Sequence, residues 1–437
     1  MTTALERQRH WLAQRLARDA PPAGAPDWLA ARRAEARAAL DRLPPIQRRL
    51  EAWRYTDIDD LMKRALGPAA PATAAPALPQ AHGPRLVLHD GRYLAAASSL
   101  AGLPGGVLAG GLADHARDHP ERVRPWLGTL APPPHLLAAL NGALVHDGPF
   151  LYLGAGTRLA EPLEIVHHYD GARPCAAHPR GLVVLEAGAR ATLVERFAGA
   201  GAGLHNGVME IRLGPGATLV HHRLLDEQAP RWQLQGIHVR LDQGAHYEGL
   251  LLALGGRWSR SEYYGQWTRP GATCRLDGLY TAGAGRLADV HLDLQHQAPG
   301  CTSRARFKGL LYGPGRAVFD GRILVAPQAQ GSDARLYNHN LMLAEGAEID
   351  TKPQLEIYAD DVQCSHGASI GQIDPLQLFY LRSRGIDAAR ARQMICRGFA
   401  AEVLEGIDDT RLQQSAAAAL ERALDAALGA AGEGDRP

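Results

Sequence analysis

Cys364 and His366, in the segment DDVQCSHG (360–367), are the pair whose types and spacing are best suited to chemistry. Residues two apart lie on the same face of an extended strand. Thiolate and imidazole are natural ligands for iron, zinc and Cu(I). Val362 shares their parity, so spacing alone favours a core-facing strand in which Cys364 acts as a small hydrophobe. A metal site here needs ligands from elsewhere, such as a second subunit, since two fall short of a tetrahedral set.

Adjacent histidines form a second candidate group, in the pairs His167-His168 and His221-His222. Neighbouring side chains of a strand point to opposite faces, so neither pair is arranged to chelate one ion. Asn338-His339-Asn340 adds an isolated histidine near the Cys364 segment, where a local site is an alternative. Rather than a metal site, we expect exposed or interface histidines on strands.

Four carboxylates close in sequence form a third candidate group: Asp350, Glu356, Asp360 and Asp361. On a β-helix such groups bind Ca²⁺ or perform acid–base catalysis on a polysaccharide. A solvated strand edge is the competing interpretation. A secreted polysaccharide enzyme would also normally have a signal peptide, and the charged start of this chain lacks the apolar segment of one.

Composition excludes several classes of function. The 437 residues contain 47 basic and 46 acidic side chains, which argues against a polybasic nucleic-acid or membrane-surface binder. None of the three lysines follows a glycine, so no Walker A loop exists and any ATP hydrolysis must belong to another chain. The five cysteines include no CxxC pair and suggest neither a disulfide framework nor a ferredoxin-type cluster. We expect a reduced, cytoplasmic, soluble protein.

The chain divides into five regions by pattern. Residues 1–66 have helical periodicity, 67–84 form a linker rich in Pro and Ala, and 85–145 are mixed α/β. Residues 146–371 consist of short strands, and 372–437 are helical again. Within the mixed region, Asp90-Gly91 between two apolar runs predicts a hairpin.

The strand region repeats. Alternating segments such as MEIRL (209–213) and IHVRL (237–241) have one apolar face each. Glycines that open a strand recur at intervals of 28, 28, 27 and 29 residues: Gly188, Gly216, Gly244, Gly271 and Gly300. A fixed period with two strands and no helix per unit favours a parallel β-helix with two sheets, with a β-sandwich as the alternative.

The helical region after Gly371 has clear boundary signals. Asp374 is a suitable N-cap, Pro375 suits the first helical position and Gly385 is a suitable terminator. Asp387 can cap a second helix. The apolar stripes of these helices, which either pack internally or face a partner, contain Leu376, Phe379, Tyr380, Met394 and Phe399.

The segments 341–371 and 378–386, LMLAEGAEIDTKPQLEIYADDVQCSHGASIG and LFYLRSRGI, closely resemble the SufD branch of the SufB/SufD family. These proteins are scaffold subunits of the SUF iron–sulfur cluster assembly system. EAWRYTDIDDL (51–61), ALNGALVHDG (139–148) and EPLEIVHHY (161–169) agree with the same family. The resemblance implies a right-handed parallel β-helix core flanked by N-terminal and C-terminal helical regions.

The resemblance also implies partners. A SufC-type ABC ATPase would bind the C-terminal helical domain, and SufB would bind the β-helix core, with a homodimer as the form of the isolated chain. His366 would face a SufB cysteine and help to build the nascent cluster, with Cys364 in a supporting role. No tightly bound cofactor is expected, only transient iron or a nascent cluster shared with SufB.

The expected function is therefore a non-catalytic scaffold that supports ATP-driven cluster assembly and has a part in iron acquisition. One alternative is a SufB-like scaffold that binds a cluster directly in a homo-oligomer, which the cysteine spacing disfavours. The other is the β-helix polysaccharide-active enzyme.

Overall fold

The structure is a computed structural model, and it describes residues 3–18, 24–69, 76–78, 83–169, 173–226, 230–407 and 409–429. The helices are α1 Ala4–Ala17, α2 Asp27–Arg42, α3 Asp59–Met62, α4 Leu112–Asp118, α5 Pro120–Val123, α6 Leu136–Leu144, α7 Pro375–Ser383, α8 Ala388–Leu404 and α9 Thr410–Gly429. Short 3₁₀ turns span Glu51–Trp53 and Ala95–Ala97.

The strands that precede the regular repeat are β1 Gly67–Pro68, β2 Arg85–His89, β3 Arg92–Tyr93, β4 Val107–Gly111, β5 Pro149–Leu153, β6 Leu163–His168 and β7 Cys175–Ala177. The strands of the repeat are β8 Arg180–Leu185, β9 Arg190–Ala198, β10 Gly203–Leu213, β11 Thr218–Leu225, β12 Arg231–Leu241, β13 His246–Ala253, β14 Trp258–Trp267, β15 Thr273–Ala282, β16 Leu287–His296, β17 Thr302–Leu311, β18 Arg316–Val325, β19 Ser332–Met342, β20 Glu348–Ile357 and β21 Val362–Gln372.

Successive strands of the repeat alternate between two sheets. The strand order in the first sheet is β20-β18-β16-β14-β12-β10-β8-β5-β4. In the second sheet it is β21-β19-β17-β15-β13-β11-β9-β6-β2-β3. All pairings from β8 to β21 are parallel. Each strand forms its backbone hydrogen bonds with the strand one turn before it. This is a parallel β-helix of seven turns, as the repeat predicts, and the sandwich alternative is wrong.

The core of the β-helix lies between the two sheets. Met209, Ile237, Tyr263 and Leu292 occupy one register position on four successive strands of the first sheet, and all are buried. Stacking like positions turn after turn removes apolar surface from water along the whole rod. The five periodic glycines lie at the turns with φ between 61° and 74°, a region that favours glycine because it has no Cβ.

The N-terminal region covers the outer face of the first sheet. Trp53 is buried, and the Arg260 guanidinium lies 3.9 Å from its ring centroid. The Thr56 hydroxyl donates a 2.6 Å hydrogen bond to Asp289. Arg260 also donates to Asp289 at 2.6 Å, so one carboxylate binds both the strand residue and the covering segment. The WRYT sequence thus anchors the N-terminal region to the sheet.

The second anchor is Glu210 on β10. Its carboxylate accepts hydrogen bonds from three backbone amides of residues 128–131 and from Arg180 at 2.8 Å. Asn141, fully buried on α6, donates to the carbonyls of Pro179 and Asn206 at 2.8 Å. The expected hairpin is also present: β2 and β3 pair antiparallel, and Asp90 and Gly91 both have positive φ.

The C-terminal helices pack on the outer face of the second sheet. Val403 and Leu420 join a buried cluster with Leu250, Leu279 and Leu310. Asp374 caps α7 through the Leu376 amide, and Asp387 caps α8 through the Arg390 amide, as the sequence predicts. Much of the predicted linker and residues 430–437 lie outside the described residues. Within the described ranges, no helix combines the length and apolarity needed to span a membrane.

Candidate functional site

The final turn of the β-helix is open. β20 and β21 are the terminal strands of the two sheets, and among the described residues each has a strand partner on one side only. Within the described part of the chain, no further turn follows to cover the inward-facing side chains of these two strands. We call this surface the open end, defined by β20, β21 and the connecting residue Tyr358.

Cys364 and His366 lie on the inward face of β21, as their spacing predicts. They register with the buried core residues Ala334 and Leu336 of β19. Val362 and Cys364 pack against the core cluster, whereas His366 is exposed at the open end. Burial raises the pKa of the Cys364 thiol, so the thiol is favoured over the thiolate. The imidazole is therefore the more available metal ligand of the two.

A polar network lies one turn below His366. The Tyr280 hydroxyl donates a 2.6 Å hydrogen bond to Asn340, and Asn338 donates one of 2.9 Å back to the Tyr280 oxygen. Thr351 of β20 donates to Asn338 at 2.8 Å and so ties the open turn to this network. The sequence interpretation missed this group, although Asn338 and Asn340 at strand spacing are its signal.

The neighbouring His339 belongs to a different surface. It has the opposite parity to Asn338 and Asn340 on β19, and its Nδ1 lies 2.8 Å from the Ser369 hydroxyl. Its ring stacks parallel to Tyr337, whose hydroxyl lies 2.9 Å from the Ser365 oxygen. The outward face of β19 and β21 is thus a hydroxyl–imidazole surface, separate from the inward face that carries His366.

Apolar side chains surround the inward site. Ile357 is 39% exposed, Tyr358 62% and Ile370 54%. Ile357 and Ile370 have the inward parity of their strands, so they would be core residues if another turn followed. A surface of this kind, next to two unpaired strand edges, is typical of a protein interface.

At least one histidine of each adjacent pair is buried and has a structural role, which differs from the expected exposed or interface position. His167 and His221 are buried inside the β-helix, with their Nε2 atoms 3.0 Å and 3.1 Å from the Glu195 carboxylate. Arg223 donates to the same carboxylate at 2.9 Å. Burial favours a raised pKa for Glu195, but these hydrogen bonds and the Arg223 charge outweigh it and lower that pKa well below its usual range. The arginine already neutralises the carboxylate.

Two of the four carboxylate candidates are engaged on the outer face of the first sheet, whereas Asp360 and Asp361 are exposed in the segment between β20 and β21. Asp350 accepts a 3.0 Å hydrogen bond from Arg316, and Glu356 accepts one of 3.1 Å from Arg322. Within the described part of the chain, no three His, Cys, Asp or Glu side chains are grouped to hold a metal ion. A metal at His366 would therefore need ligands from another molecule.

The predicted partner residues of the C-terminal region fall into two groups. Leu376, Phe379 and Tyr380 on α7 are 75%, 69% and 57% exposed, and Met394 on α8 is 39% exposed. Phe399 instead packs against the buried helix–sheet cluster, with the Lys308 ammonium 4.8 Å from its ring centroid. An open groove of about 450 Å³ between α7 and α8 includes Leu376, Tyr380 and Ile395.

Two protein-family models match consecutive parts of the chain. Residues 16–165 match the SufBD protein N-terminal region, and residues 167–399 match the SufBD core domain of SUF system FeS cluster assembly. The second match covers the β-helix with its open end and most of α8.

Curated proteins with similar sequences carry related names. The chain is 32% identical to the iron–sulfur cluster assembly protein SufD of Escherichia coli over 86% of this chain and 89% of that protein. It is 30% identical to the iron–sulfur cluster assembly SufBD family protein slr0076 of Synechocystis, over 85% of each chain. It is 28% identical to the chloroplastic protein ABCI7 of Arabidopsis thaliana, over 72% of this chain and 68% of that protein.

Proposed function

This chain is a SufD-type member of the SufB/SufD family of iron–sulfur cluster assembly proteins, and on that premise we propose that it is the non-catalytic scaffold subunit of a SufB–SufC–SufD complex. In this role it supports ATP-driven assembly of new clusters and takes part in acquiring iron for them. The observation that carries the proposal is the open end of the β-helix, where His366 is exposed beside unpaired strand edges.

SufB is proposed to dock at the open end. Unpaired edge strands template the addition of another strand, and the exposed Ile357, Tyr358 and Ile370 supply apolar area for burial. An isolated chain would cover the same surface with a second copy of itself. Both arrangements place His366 at the boundary between two subunits.

At that boundary, His366 is proposed to supply an imidazole ligand to iron or to a nascent cluster, which is the cargo of the complex. A thiolate of the partner would provide the second ligand type. Cys364 has a supporting role, since its raised pKa disfavours the thiolate that binds metal. The scattered cysteines give no support to the alternative of a cluster held by this chain alone, because Cys175, Cys274, Cys301 and Cys396 are buried.

The SufC-type ATPase is proposed to dock on α7 and the adjacent part of α8. No side chain of α7 is buried, although Leu376, Phe379 and Tyr380 are large and apolar. Such a helix face is unstable in water without a partner to cover it. Phe399 is proposed to support this surface from behind by fixing α8 to the sheet.

Motion of the docked ATPase can reach the site through α8. Glu402 on α8 pairs with Lys308 at 2.6 Å and also with Arg306, both on β17 of the second sheet. β17 is hydrogen-bonded to β19, and β19 to β21, which carries His366. ATP-driven displacement of α7 and α8 is therefore proposed to shift the edge at which the two scaffolds meet.

The test is an anaerobic pull-down of the full chain with co-expressed SufB- and SufC-like partners, followed by iron and sulfide assays. His366→Ala should retain both partners while its cluster content falls about fivefold or more, since one ligand is lost. His339→Ala, on the outward face, is the matched control and should carry a normal cluster load. Equal cluster content in the two variants would remove His366 from the site. Failure of the wild-type chain to retain an ATPase would sink the scaffold proposal.

The docking surface has its own variant. Phe379→Asp should abolish retention of the ATPase without reducing retention of SufB, because the charge lies in the centre of the apolar face. Leu5→Asp, at a residue 37% exposed on α1, controls for a charge added to an exposed apolar position. Loss of both partners in Phe379→Asp would contradict two separate docking surfaces.

A further inference from the structure

A small cavity lies where the C-terminal end of α1 meets β1 and the hairpin of β2 and β3. Its volume is about 60 Å³, and its wall includes the cationic side chains Arg15, Arg18 and Arg92 together with His146 and His178. A water molecule needs about 10–15 Å³ measured in this way, so the cavity has room for about four to six small atoms. A tetrahedral oxyanion has five heavy atoms.

Arg15 is the unusual member of this wall. Its side chain is 4% exposed, and it donates one hydrogen bond, from Nη1 to the Leu66 carbonyl. Its Nε and Nη2 atoms are buried without a hydrogen-bond partner. The Arg15 guanidinium also packs 5.3 Å from the Trp11 ring centroid, which gives Arg15 a structural role. This contact provides no hydrogen-bond acceptor for Nε or Nη2. Buried charged donors without partners are costly to a fold.

Arg18 and Arg92 add to the positive charge of the cavity wall. Arg18 donates to the same Leu66 carbonyl at 3.3 Å, which holds two guanidinium groups close together. Burial, with the charge of Arg18 added, lowers the pKa of Arg15. Arg92 has a buried Nε without a hydrogen-bond partner, and its Nη2 lies 3.5 Å from His146 Nδ1.

Two carboxylates also line the cavity. Asp147 accepts hydrogen bonds from the amides of Tyr93, Ala113 and Gly148 at 2.8–3.0 Å, so its oxygens are already engaged. Burial raises the pKa of Asp147, although the same hydrogen bonds oppose that shift. Asp90 lies beside His89, with Oδ2 and Nε2 4.0 Å apart. Among the described residues, Asp147 forms no ion pair with Arg15, Arg18 or Arg92.

We propose that this cavity binds a tetrahedral oxyanion through Arg15 and Arg92, with Arg18 at its rim. The ligand is inorganic phosphate or sulfate, or the phosphoryl group of a larger molecule, and it supplies acceptors for the guanidinium N–H groups that the fold leaves unused. Since α1 and β1 both contribute to the wall, a bound anion also holds the N-terminal helix against the β-helix.

The test uses the full chain and inorganic phosphate, with chloride at the same ionic strength as the reference. Phosphate at about 10 mM should raise the thermal unfolding midpoint by a few degrees, because a ligand that binds the native state stabilises it. Calorimetric titration should give binding that is weakened about tenfold or more in Arg92→Gln. Arg9→Gln, at an exposed position of α1 outside the cavity, should bind as the wild type does.

Arg15→Gln should lose the phosphate response entirely; if that variant does not fold, Arg92→Gln decides the matter. Sulfate and AMP distinguish the possible sources. Binding of sulfate as tight as phosphate supports a free oxyanion, and tighter binding of AMP supports a phosphoryl group on a larger ligand. Equal midpoints in phosphate and chloride, with no heat of binding for any of the three anions, would overturn the proposal.

Discussion

Arg260 and Arg322 occupy similar places on the outer face of the first sheet but in different surroundings. Each binds two carboxylates: Arg260 pairs with Glu262 and Asp289, and Arg322 with Asp293 and Glu356. Trp53 covers Arg260, whose side chain is 1% exposed, while that of Arg322 is 32% exposed. The β-helix therefore repeats one backbone unit along its length, but the N-terminal region covers only the half that contains Arg260. We call this the covered half and the half that contains Arg322 the bare half, and burial decides how much the same kind of ion pair contributes to stability in each.

The largest expected effect comes from breaking the covered ion pairs. Arg260→Ala should lower the free energy of unfolding by about 3–5 kcal/mol, because it takes the arginine charge away from two buried carboxylates. Arg322→Ala is the matched variant and should cost less than about 1 kcal/mol, since water solvates the groups that remain. Urea denaturation of both variants measures the difference. Similar losses would show that the N-terminal cover does not distinguish the two halves.

A smaller effect should appear on acidification. Burial, with the nearby charge of Arg180 added, lowers the pKa of His238 from 6.5 to about 3, and the ring stacks on Tyr264. The unfolded chain takes up this proton near pH 6.5, whereas the native state resists it down to about pH 3. The stabilisation is thus complete above pH 6.5 and is lost as the pH falls through this window, at about 1.4 kcal/mol per pH unit.

His238→Phe keeps the stacking and removes the titration. Between pH 7.5 and pH 5, its free energy of unfolding should fall by about 2 kcal/mol less than that of the wild type. His119→Phe, at a side chain 42% exposed, is the control. Urea denaturation series at several pH values measure both. Parallel pH profiles for wild type and His238→Phe would mean that the covered half is open to protons.

The turn glycines provide a control for this comparison, because the cost of replacing them should not differ between the two halves. Gly244 has φ 61° and lies in the middle of the rod, whereas Gly346 has φ 78° and precedes β20. An added Cβ meets nothing within 4 Å at Gly244 and only a Pro314 side-chain atom, at 3.9 Å, at Gly346. Alanine at either position should cost about 1–2 kcal/mol through the left-handed backbone alone. A much smaller loss at Gly346 would show that the last turn is not held in this geometry.

The smallest expected effect on stability is at the open end. His366→Ala should change the free energy of unfolding of the isolated chain by less than about 0.5 kcal/mol, because its side chain is exposed. The same change should still lower cluster content in the complex. A loss of stability as large as that of Arg260→Ala would mean that His366 is a structural residue.

Much of the fold follows from local pattern. Strand parity and the recurring glycines predict the β-helix, and Asp374, Pro375, Gly385 and Asp387 predict the boundaries of α7 and α8, because these signals act within a few residues. The pairing of Cys364 with His366 on one face also follows from spacing. Whether that face is covered depends on what comes after β21, and strand parity alone does not contain this information.

Long-range partners were not predictable from pattern. Nothing local joins Thr56 to Asp289, which are 233 residues apart, or gathers Arg15, Arg18 and Arg92 around one cavity. The Asn338–Tyr280 network likewise joins strands of different turns. Such contacts arise from the stacking of turns, and a single sequence shows only which residues are able to make them.

The alternation of sheets has a consequence for how the protein is made. Because every strand of the repeat pairs with the strand one turn earlier, the ladder can grow during synthesis, each emerging turn adding to an edge already formed. The last edge to form is that of β20 and β21, and no later strand among the described residues pairs with it. The surface proposed to receive the partner subunit is the same kind of template that guided each preceding turn into place.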